Sequence, residues 1–368
     1  MALGTHKSYR IEGDHQVDVV IVSPERREKA VLKMARAAYP DAKVFAYLNT
    51  MDVMLLRSPE RPAFWKEHED WFLHDADGER IRVRVKHYSG PMSRYGMNVA
   101  KAGWQEYLGR RAAELLGMGY DGVQLDNVET DCSYKLRNVG RWISALPVEM
   151  TPEIWYRAEA EMLARIRKMA TEAGYADREI IFNHIRAGEP QRSLEYLAQV
   201  DGANSENWLS MKADPRGTWG WAGRMNLARQ AAAGGKRINL LAQAALFSPE
   251  EALFTFSSYL LASGGDKTAF WYGKAYRAEE MRWFWFYDVD LGAASGPMHP
   301  EGNDGVFRRD FDKGAVLVNP ETEPRTVDTG GTFLDDAFEP VQRVTLGPRR
   351  GAILLKPGGA PPPREVLQ

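Results

Sequence analysis

Gly119-Tyr120-Asp121-Gly122-Val123-Gln124-Leu125-Asp126-Asn127 decides how this chain folds. A glycine-rich turn feeds a short apolar run that stops on a carboxylate and an amide. Alternation along a strand puts Val123 and Leu125 on one face and Gly122, Gln124 and Asp126 on the other. An ordinary buried strand carries no Gln and Asp on an interior face. A strand whose C-terminal end opens into a site does, and in a (β/α)8 barrel such strand ends are the usual source of catalytic groups. The competing reading makes Asp126 the N-cap of a following helix, a position that Asp favours.

A second stretch, Asp201 to Trp208, repeats the pattern. Asn204, Glu206 and Trp208 share one face, with the small Ala203 and Ser205 on the other. Glu is uncommon in strands and is seldom buried without a partner or a task. The bland alternative is a salt-bridged Glu that holds the barrel together. Two carboxylates on strand ends, each beside amides, are the minimal equipment for cleaving a glycosidic bond. One protonates the leaving oxygen, and the other is the nucleophile or activates water. Asp126, flanked by Gln124 and Asn127, has the polar setting of a nucleophile or charge stabiliser; Glu206, close to Trp208, has the apolar neighbour that suits a proton donor. The reverse order stays open.

The 368 residues suffice for a barrel of roughly 250 residues plus a smaller domain. A net charge of −2 leaves no electrostatic footprint for nucleic acid. No apolar run approaches the roughly 20 residues that span a bilayer, so no membrane partner is expected. The start, MALGTHKSYRIEGDH, lacks a hydrophobic signal core. A cytoplasmic protein is expected, or a secreted or periplasmic one already trimmed. Cys132 is the single cysteine, so no intrachain disulfide forms.

Outward from these two stretches, strand-like and helix-like segments alternate, as in a parallel α/β architecture. Strands are expected at Val17 to Ser23, Lys43 to Asn49, Glu179 to His184, Arg237 to Gln243 and Lys267 to Tyr272, with helices between them. That gives seven strands of eight, the missing one being the first, hidden in residues 1 to 15 or absent. Thr50 to Asn98 is a long excursion in which Ile81 to Tyr88 alternates as a rim strand. The aromatic run Trp283 to Tyr287 reads as core or domain-interface packing. After Leu291 helical periodicity disappears and short alternating segments follow at Val306 to Phe311, Ala315 to Asn319, Arg343 to Leu346 and Ala352 to Lys356. The expected division is therefore a barrel over 1–292, an antiparallel β-sandwich over 293–356 and a disordered tail over 357–368.

Other chemistries find little footing. There is no P-loop, no G-x-G-x-x-G, no H-E-x-x-H and no G-x-S-x-G, so neither cofactor nor metal is expected. His68 among Glu67, Glu69 and Asp70 reads as a solvated charge run. No expected barrel strand ends in the Lys that a Schiff-base lyase or aldolase needs.

KVFAYLNT (43–50), WFLHDADG (71–78), the W-x-x-Y-L of Trp104, Tyr107 and Leu108, GYDGVQLDN and the ENW of 206–208 together resemble bacterial glycoside-hydrolase-like TIM-barrel families related to the endo-α-1,4-polygalactosaminidases. FRRDFDKGAVLVNP (307–320) and VTLGPRRGAILL (344–355) are similar to their terminal β-sandwich. The resemblance runs over residues 15 to 356 and rests most on GYDGVQLDN. It implies a glycosidase fold with Asp126 and Glu206 at the matching positions for the acid/base and nucleophile pair. Asn98 departs from it, since such relatives often carry an Asp before the helix.

At the barrel mouth Tyr47, Asn49, Gln124, Asn127, Asn183, Asn204 and Gln243 are candidate sugar-binding groups, because amides donate and accept as hydroxyls do. Any one of them would equally serve as a packing amide with a backbone partner. Trp208 and Trp271 are candidate stacking surfaces for the substrate, and Trp219 and Trp221 also lie on or after strand ends. The expectation is a metal-independent, two-carboxylate glycoside hydrolase, retaining or inverting, of an α-linked poly- or oligosaccharide. The alternative is a catalytically inactive barrel that binds carbohydrate, distinguished by comparing glycan release with binding over one polysaccharide panel.

Overall fold

The computed structural model describes residues 2–4, 15, 17–24, 27–55, 58–83, 94–130, 150–210, 214–244, 246–273, 282–302 and 305–358. Cys132, the rest of the expected rim strand beyond Val83, and tail residues 359–368 lie outside these.

Eight strands make one parallel sheet in chain order: β1 (Ala2–Gly4), β2 (Val19–Val22), β3 (Lys43–Asn49), β4 (Gly122–Asp126), β5 (Glu179–Asn183), β6 (Gly202–Glu206), β7 (Arg237–Gln243) and β8 (Thr268–Gly273). The helices are α1 (Glu28–Ala38), α2 (Ala102–Gly117), α3 (Pro152–Glu172), α4 (Pro190–Gln199), α5 (Trp221–Ala233) and α6 (Pro249–Ala262). This alternation is a (β/α)8 TIM barrel. Among the described residues β1 and β8 are the two edges of the hydrogen-bonded order. The strand missing from the sequence count is Ala2–Gly4, paired in register with Val20–Val22. Three residues carry too little alternation to be read alone.

Local chemistry starts the helices where the pattern expects. Thr151 caps α3 by accepting from Ile154 N at 3.2 Å, and Ser248 caps α6 by accepting from Glu251 N at 3.2 Å. A proline follows each cap, where its missing N–H costs nothing. Val123 and Leu125 are fully buried between sheet and helices, so Gln124 and Asp126 face the barrel axis. Gly122 is needed on that axis: a Cβ there would lie 2.3 Å from Cε1 of Phe45. The N-terminal end of the barrel is closed by charge, with Glu179 bonded by Lys43 Nζ at 2.6 Å and clamped by Arg237.

The excursion after β3 has structure of its own. It holds a three-stranded antiparallel sheet of Asp52–Val53, Arg94–Gly96 and Arg82–Val83 and a short helix, Pro62–Glu67. The rim strand is thus two residues long within the described range. Trp65 and Trp71 are buried against Trp104 and Tyr107 of α2, and Phe72 packs on Trp65.

Beyond the barrel, β9 (His299–Glu301), β10 (Val306–Phe311), β11 (Gly314–Asn319), β12 (Arg325–Leu334), β13 (Pro340–Leu346) and β14 (Arg350–Leu355) form one antiparallel sheet in the order β9-β10-β11-β14-β12-β13. β12 meets β14 only at Leu334↔Leu355, so the β12–β13 hairpin folds over the rest. Val306, Leu317 and Leu354 pack beneath Val327, Phe333 and Leu346 in a small second core. The opposite face, with Val316, Val318 and Ile353, joins the main core. There Arg309 donates to Leu260 O and Ser263 O at 2.8 and 2.7 Å, satisfying the last carbonyls of α6. Trp285 lies against Phe338, and Phe286 is buried in the barrel-side core.

Candidate active site

Three strands end on the polar groups of interest, and each ends the same way. Asp126, Asn183 and Glu206 are the last residues of β4, β5 and β6. Each is followed by a non-glycine residue in the left-handed region: Asn127 at φ 64°, His184 at φ 83° and Asn207 at φ 51°. Asn and His tolerate that region better than most residues, and such conformations gather at functional sites. The turn ends the strand at once, so the final side chain stays at the mouth. After the turn at β5, His184 N and Ile185 N both donate to Asn204 O, at 3.0 and 2.9 Å.

The two carboxylates meet through one amide. Asn183 Nδ2 donates to Asp126 Oδ1 at 2.7 Å and to Glu206 Oε1 at 2.9 Å. Both oxygens lie on the same nitrogen, so their separation cannot exceed the two distances laid end to end. With the two amide hydrogens directed about 120° apart, the oxygens are roughly 5 Å apart. Asp126 Oδ2 accepts from the Tyr47 hydroxyl at 2.5 Å. Desolvation, and then the charge of Asp126, push the Tyr47 hydroxyl well above its ordinary value. Tyr47 is therefore held as a proton-bearing donor. Asn49 Nδ2 reaches the Tyr47 oxygen at 3.4 Å, while Asn49 Oδ1 accepts from Met51 N and Asp52 N, both at 3.0 Å. Its carbonyl shapes the β3 turn and its amide supports Tyr47.

Asp126 caps no helix among the described residues; its oxygens are taken by Tyr47 and Asn183, which removes the capping alternative. Asp126, Glu206, Tyr47 and Asn49 are half-buried and reach the mouth. Gln124, Asn183 and Asn204 are buried at 4 %, 4 % and 2 % exposure, a floor beneath them. Asn204 is bound there by Asn239 Nδ2 at 2.8 Å. Asn127 is buried at the turn after Asp126. Gln243 closes β7, its backbone in register with Gly273, and its side chain lies outside the described residues. The tryptophans sort differently from the expectation. Trp208, Trp221 and Trp271 are buried, at 1 %, 3 % and 0 % exposure, so none offers an open face for a sugar. Trp219 is 53 % exposed.

Further groups stand at this end, Asn239 on a strand face that alternation does mark and the others on loops. Asn239 is buried beside Asn204 on the neighbouring strand, an inward position of β7 that the register Asn239↔Asn204 would have marked. Glu129, fully buried, pairs with Arg186 and stands 3.7 Å from His184 Nδ1. These lie on loops, where sequence spacing carries no facing rule. A pocket of about 100 Å³ lies between the outer face of β6 and β7 and helix α5, with Ser205, Ile238, Leu240, Leu227 and Ala228 among its walls and Trp219 and Arg224 at its rim. No group of three or more His, Cys, Asp or Glu among the described residues is placed to hold a metal ion. No described helix is long and apolar enough to cross a membrane.

Residues 36–315 match the family model described as hypothetical glycosyl hydrolase family 15. No curated protein matches the sequence. Among solved structures, an alpha-amylase from Malbranchea cinnamomea shares 11 % identity at a TM-score of 0.54, over 93 % of this chain and 87 % of that one. The cyclic alpha-maltosyl-(1→6)-maltose hydrolase of Arthrobacter globiformis, in complex with maltose, shares 13 % at 0.51, over 92 % and 86 %. The glycoside hydrolase domain of PelA from Pseudomonas aeruginosa shares 16 % at 0.44, over 74 % of this chain and 92 % of that one. The first two likenesses carry the fold.

Proposed function

Since the chain belongs to hypothetical glycosyl hydrolase family 15, we propose that it is a retaining glycoside hydrolase of an α-linked poly- or oligosaccharide, with Asp126 as nucleophile and Glu206 as acid/base. The observation that carries this is the shared amide of Asn183, which brings the nearest oxygens of the two carboxylates to roughly 5 Å of each other. Retaining enzymes space the pair at about 5–5.5 Å, whereas inverting enzymes leave about 6.5–9.5 Å for a water. Tyr47 and Asn183 both donate to Asp126, which fixes its attacking oxygens. Glu206 accepts from one of these donors, which holds it beside Asp126.

In the first step Asp126 attacks the anomeric carbon while Glu206 gives its proton to the glycosidic oxygen, and the bond to the leaving sugar breaks. In the second, Glu206 takes a proton from water, which displaces Asp126 and restores the starting state. Asn183 Oδ1, buried with no partner among the described residues, is an acceptor available to a sugar hydroxyl. None of these steps uses a metal.

The test is a panel of α-1,4-linked glucan, galactan and galactosaminan oligosaccharides, with products followed by proton NMR from the first turnover. Release of the α-anomer before mutarotation is expected. Initial release of the β-anomer would replace the retaining reading with an inverting one. Binding without any cleavage across the panel would point to an inactive carbohydrate-binding barrel.

A further inference from the structure

The excursion after β3 is bonded into the barrel mouth rather than laid over it. It leaves the strand at Thr50, whose N and Oγ1 both donate to Asp126 O, at 3.1 and 2.9 Å. Trp104 Nε1 of α2 donates to Thr50 O at 2.9 Å and fixes the same point from outside. Two residues on, Asp52 pairs with Gly96 across the small antiparallel sheet. Side chains two apart on a strand share a face, so Arg94 lies on the face of Gly96, which has no side chain to block its reach to Asp52. Arg94 Nη1 stands 3.3 Å from Asp52 Oδ1 and 3.4 Å from Oδ2, and the Asp52 side chain is only 3 % exposed. Taking a cation from a carboxylate this deep is costly.

The backbone of the same residue holds Asn49. Asp52 N donates to Asn49 Oδ1 at 3.0 Å, Asn49 Nδ2 reaches the Tyr47 oxygen at 3.4 Å, and Tyr47 donates to Asp126 Oδ2 at 2.5 Å. A continuous line of polar contacts therefore runs from the excursion sheet to Asp126, and it ends on the oxygen that Asn183 does not hold. Charge acts along the same line. Desolvation and then the charge of Asp126 raise the Tyr47 hydroxyl, Arg94 pulls against them, and Asp52 adds a smaller upward push. We propose that Arg94 and Asp52 are positioning residues for the nucleophile, an ion pair in the excursion that fixes Asn49 and, through it, the Tyr47 hydroxyl on Asp126. Neither has to touch the substrate. With Arg94 gone, Asp52 is buried with one cation fewer and relaxes toward water, drawing its N–H from Asn49 Oδ1 and removing the support of Tyr47. Asn183 still holds Asp126 Oδ1, so the carboxylate keeps its place but turns more freely. The inference rests on the glycosidase reading and adds what makes the nucleophile rigid.

The experiment combines kinetics with crystal structures of Arg94→Gln and of the double variant that adds Asp52→Asn. In Arg94→Gln, kcat on an oligosaccharide that the wild-type protein cleaves should fall about tenfold, less than the roughly hundredfold that a misplacement of about 1 Å can cost. KM should move less than about twofold, because no binding group is lost. Asp52→Asn removes the charge left behind, so the double variant should recover most of the loss, whereas two independent packing defects would add. The Tyr47 oxygen should stand away from Asp126 Oδ2 in the Arg94→Gln crystal and return to it in the double variant. An unchanged kcat, a loss carried by KM instead, a double variant no better than the single one, or a Tyr47 that stays on Asp126 would overturn the proposal. If the wild-type protein cleaves nothing, the glycosidase reading falls and the crystal structures alone decide. A Tyr47 displaced in the single variant and restored in the double one then upholds the positioning role, and an unmoved Tyr47 overturns it.

Discussion

At its N-terminal end β5 presents Glu179, held between Lys43 and Arg237; at its C-terminal end, four residues on, it presents Asn183, held between Asp126 and Glu206. Below, one carboxylate is matched by two cations, and the Arg237 side chain is only 4 % exposed. Above, two carboxylates face one neutral amide. Burial raises the Glu179 carboxyl, and the bonds from Arg237 and Lys43 outweigh it, leaving the group below its ordinary value. That end is electrostatically satisfied and needs nothing further. At the mouth, two carboxyl groups are brought together around one amide, an arrangement that chemistry can use. One strand thus serves rigidity at one end and reactivity at the other.

The sharpest way to break this contrast is at the pair itself. Asp126→Ala should lower turnover of every substrate by about four orders of magnitude, as loss of a nucleophile does. Glu206→Ala should spare the glycosylation of 2,4-dinitrophenyl glycosides, which need little protonation, while losing unactivated oligosaccharides. The kcat/KM on both substrate classes and the first-turnover burst of dinitrophenol check this, and equal losses for the two variants would refute the division of roles.

A smaller effect is expected from the amide between them. Asn183→Ala removes a donor from both carboxylates, and turnover should fall about a hundredfold, as for a lost preorganised donor. A carboxylate that loses a hydrogen bond it accepted is less favoured in its charged form, so in this variant one of the pair should keep its proton to higher pH. The acid limb of the kcat/KM profile should then move upward, which simple unfolding would not produce. An unshifted profile would show that Asn183 only packs.

The lower end should respond in stability alone. Arg237→Met leaves Glu179 buried with one cation fewer and should cost about 3 kcal/mol in urea denaturation, with kcat unchanged. A fall in kcat without a fall in stability would show that the two ends are coupled. The smallest effect is in acid. The Glu179 carboxyl sits below its ordinary 4.5, so its contribution is complete above that pH and is lost as pH falls through the folded-state value. Unfolding free energy should therefore decline below about pH 4.5, and more steeply in the wild-type protein than in Glu179→Gln. Parallel acid curves for the two would remove Glu179 from the account.

Much of the mouth could be read from alternation. Tyr47, Asn49, Gln124 and Asp126 occupy the inward positions of adjacent strands, and the register confirms their company through Tyr47↔Gln124 and Asn49↔Asp126. β1 and β12 could not. β1 has three residues, and β12 is interrupted by Gly330 and Gly331 with a register shift between Asp328 and Phe333. The tryptophans mark the limit most clearly. Trp208 stands two residues beyond an inward strand position, but the left-handed turn at Asn207 breaks the alternation, and the ring is buried. Trp219, with no periodicity around it, is the exposed one.

By itself the sequence determined the βα alternation, the strands that end in Asp126 and Glu206, and the change to antiparallel structure after Leu291. Each of these is a local regularity, repeated every two residues or every three to four, and periodicity is a property of sequence. Only the tertiary structure decided that one Asn183 nitrogen reaches both carboxylates, that Glu129 and Arg186 pair beneath the loop, and that Gly188 gives Trp219 its seat. These contacts join residues between 23 and 57 positions apart across different strands and loops, where no period relates the partners and only the closing of the barrel brings them within reach.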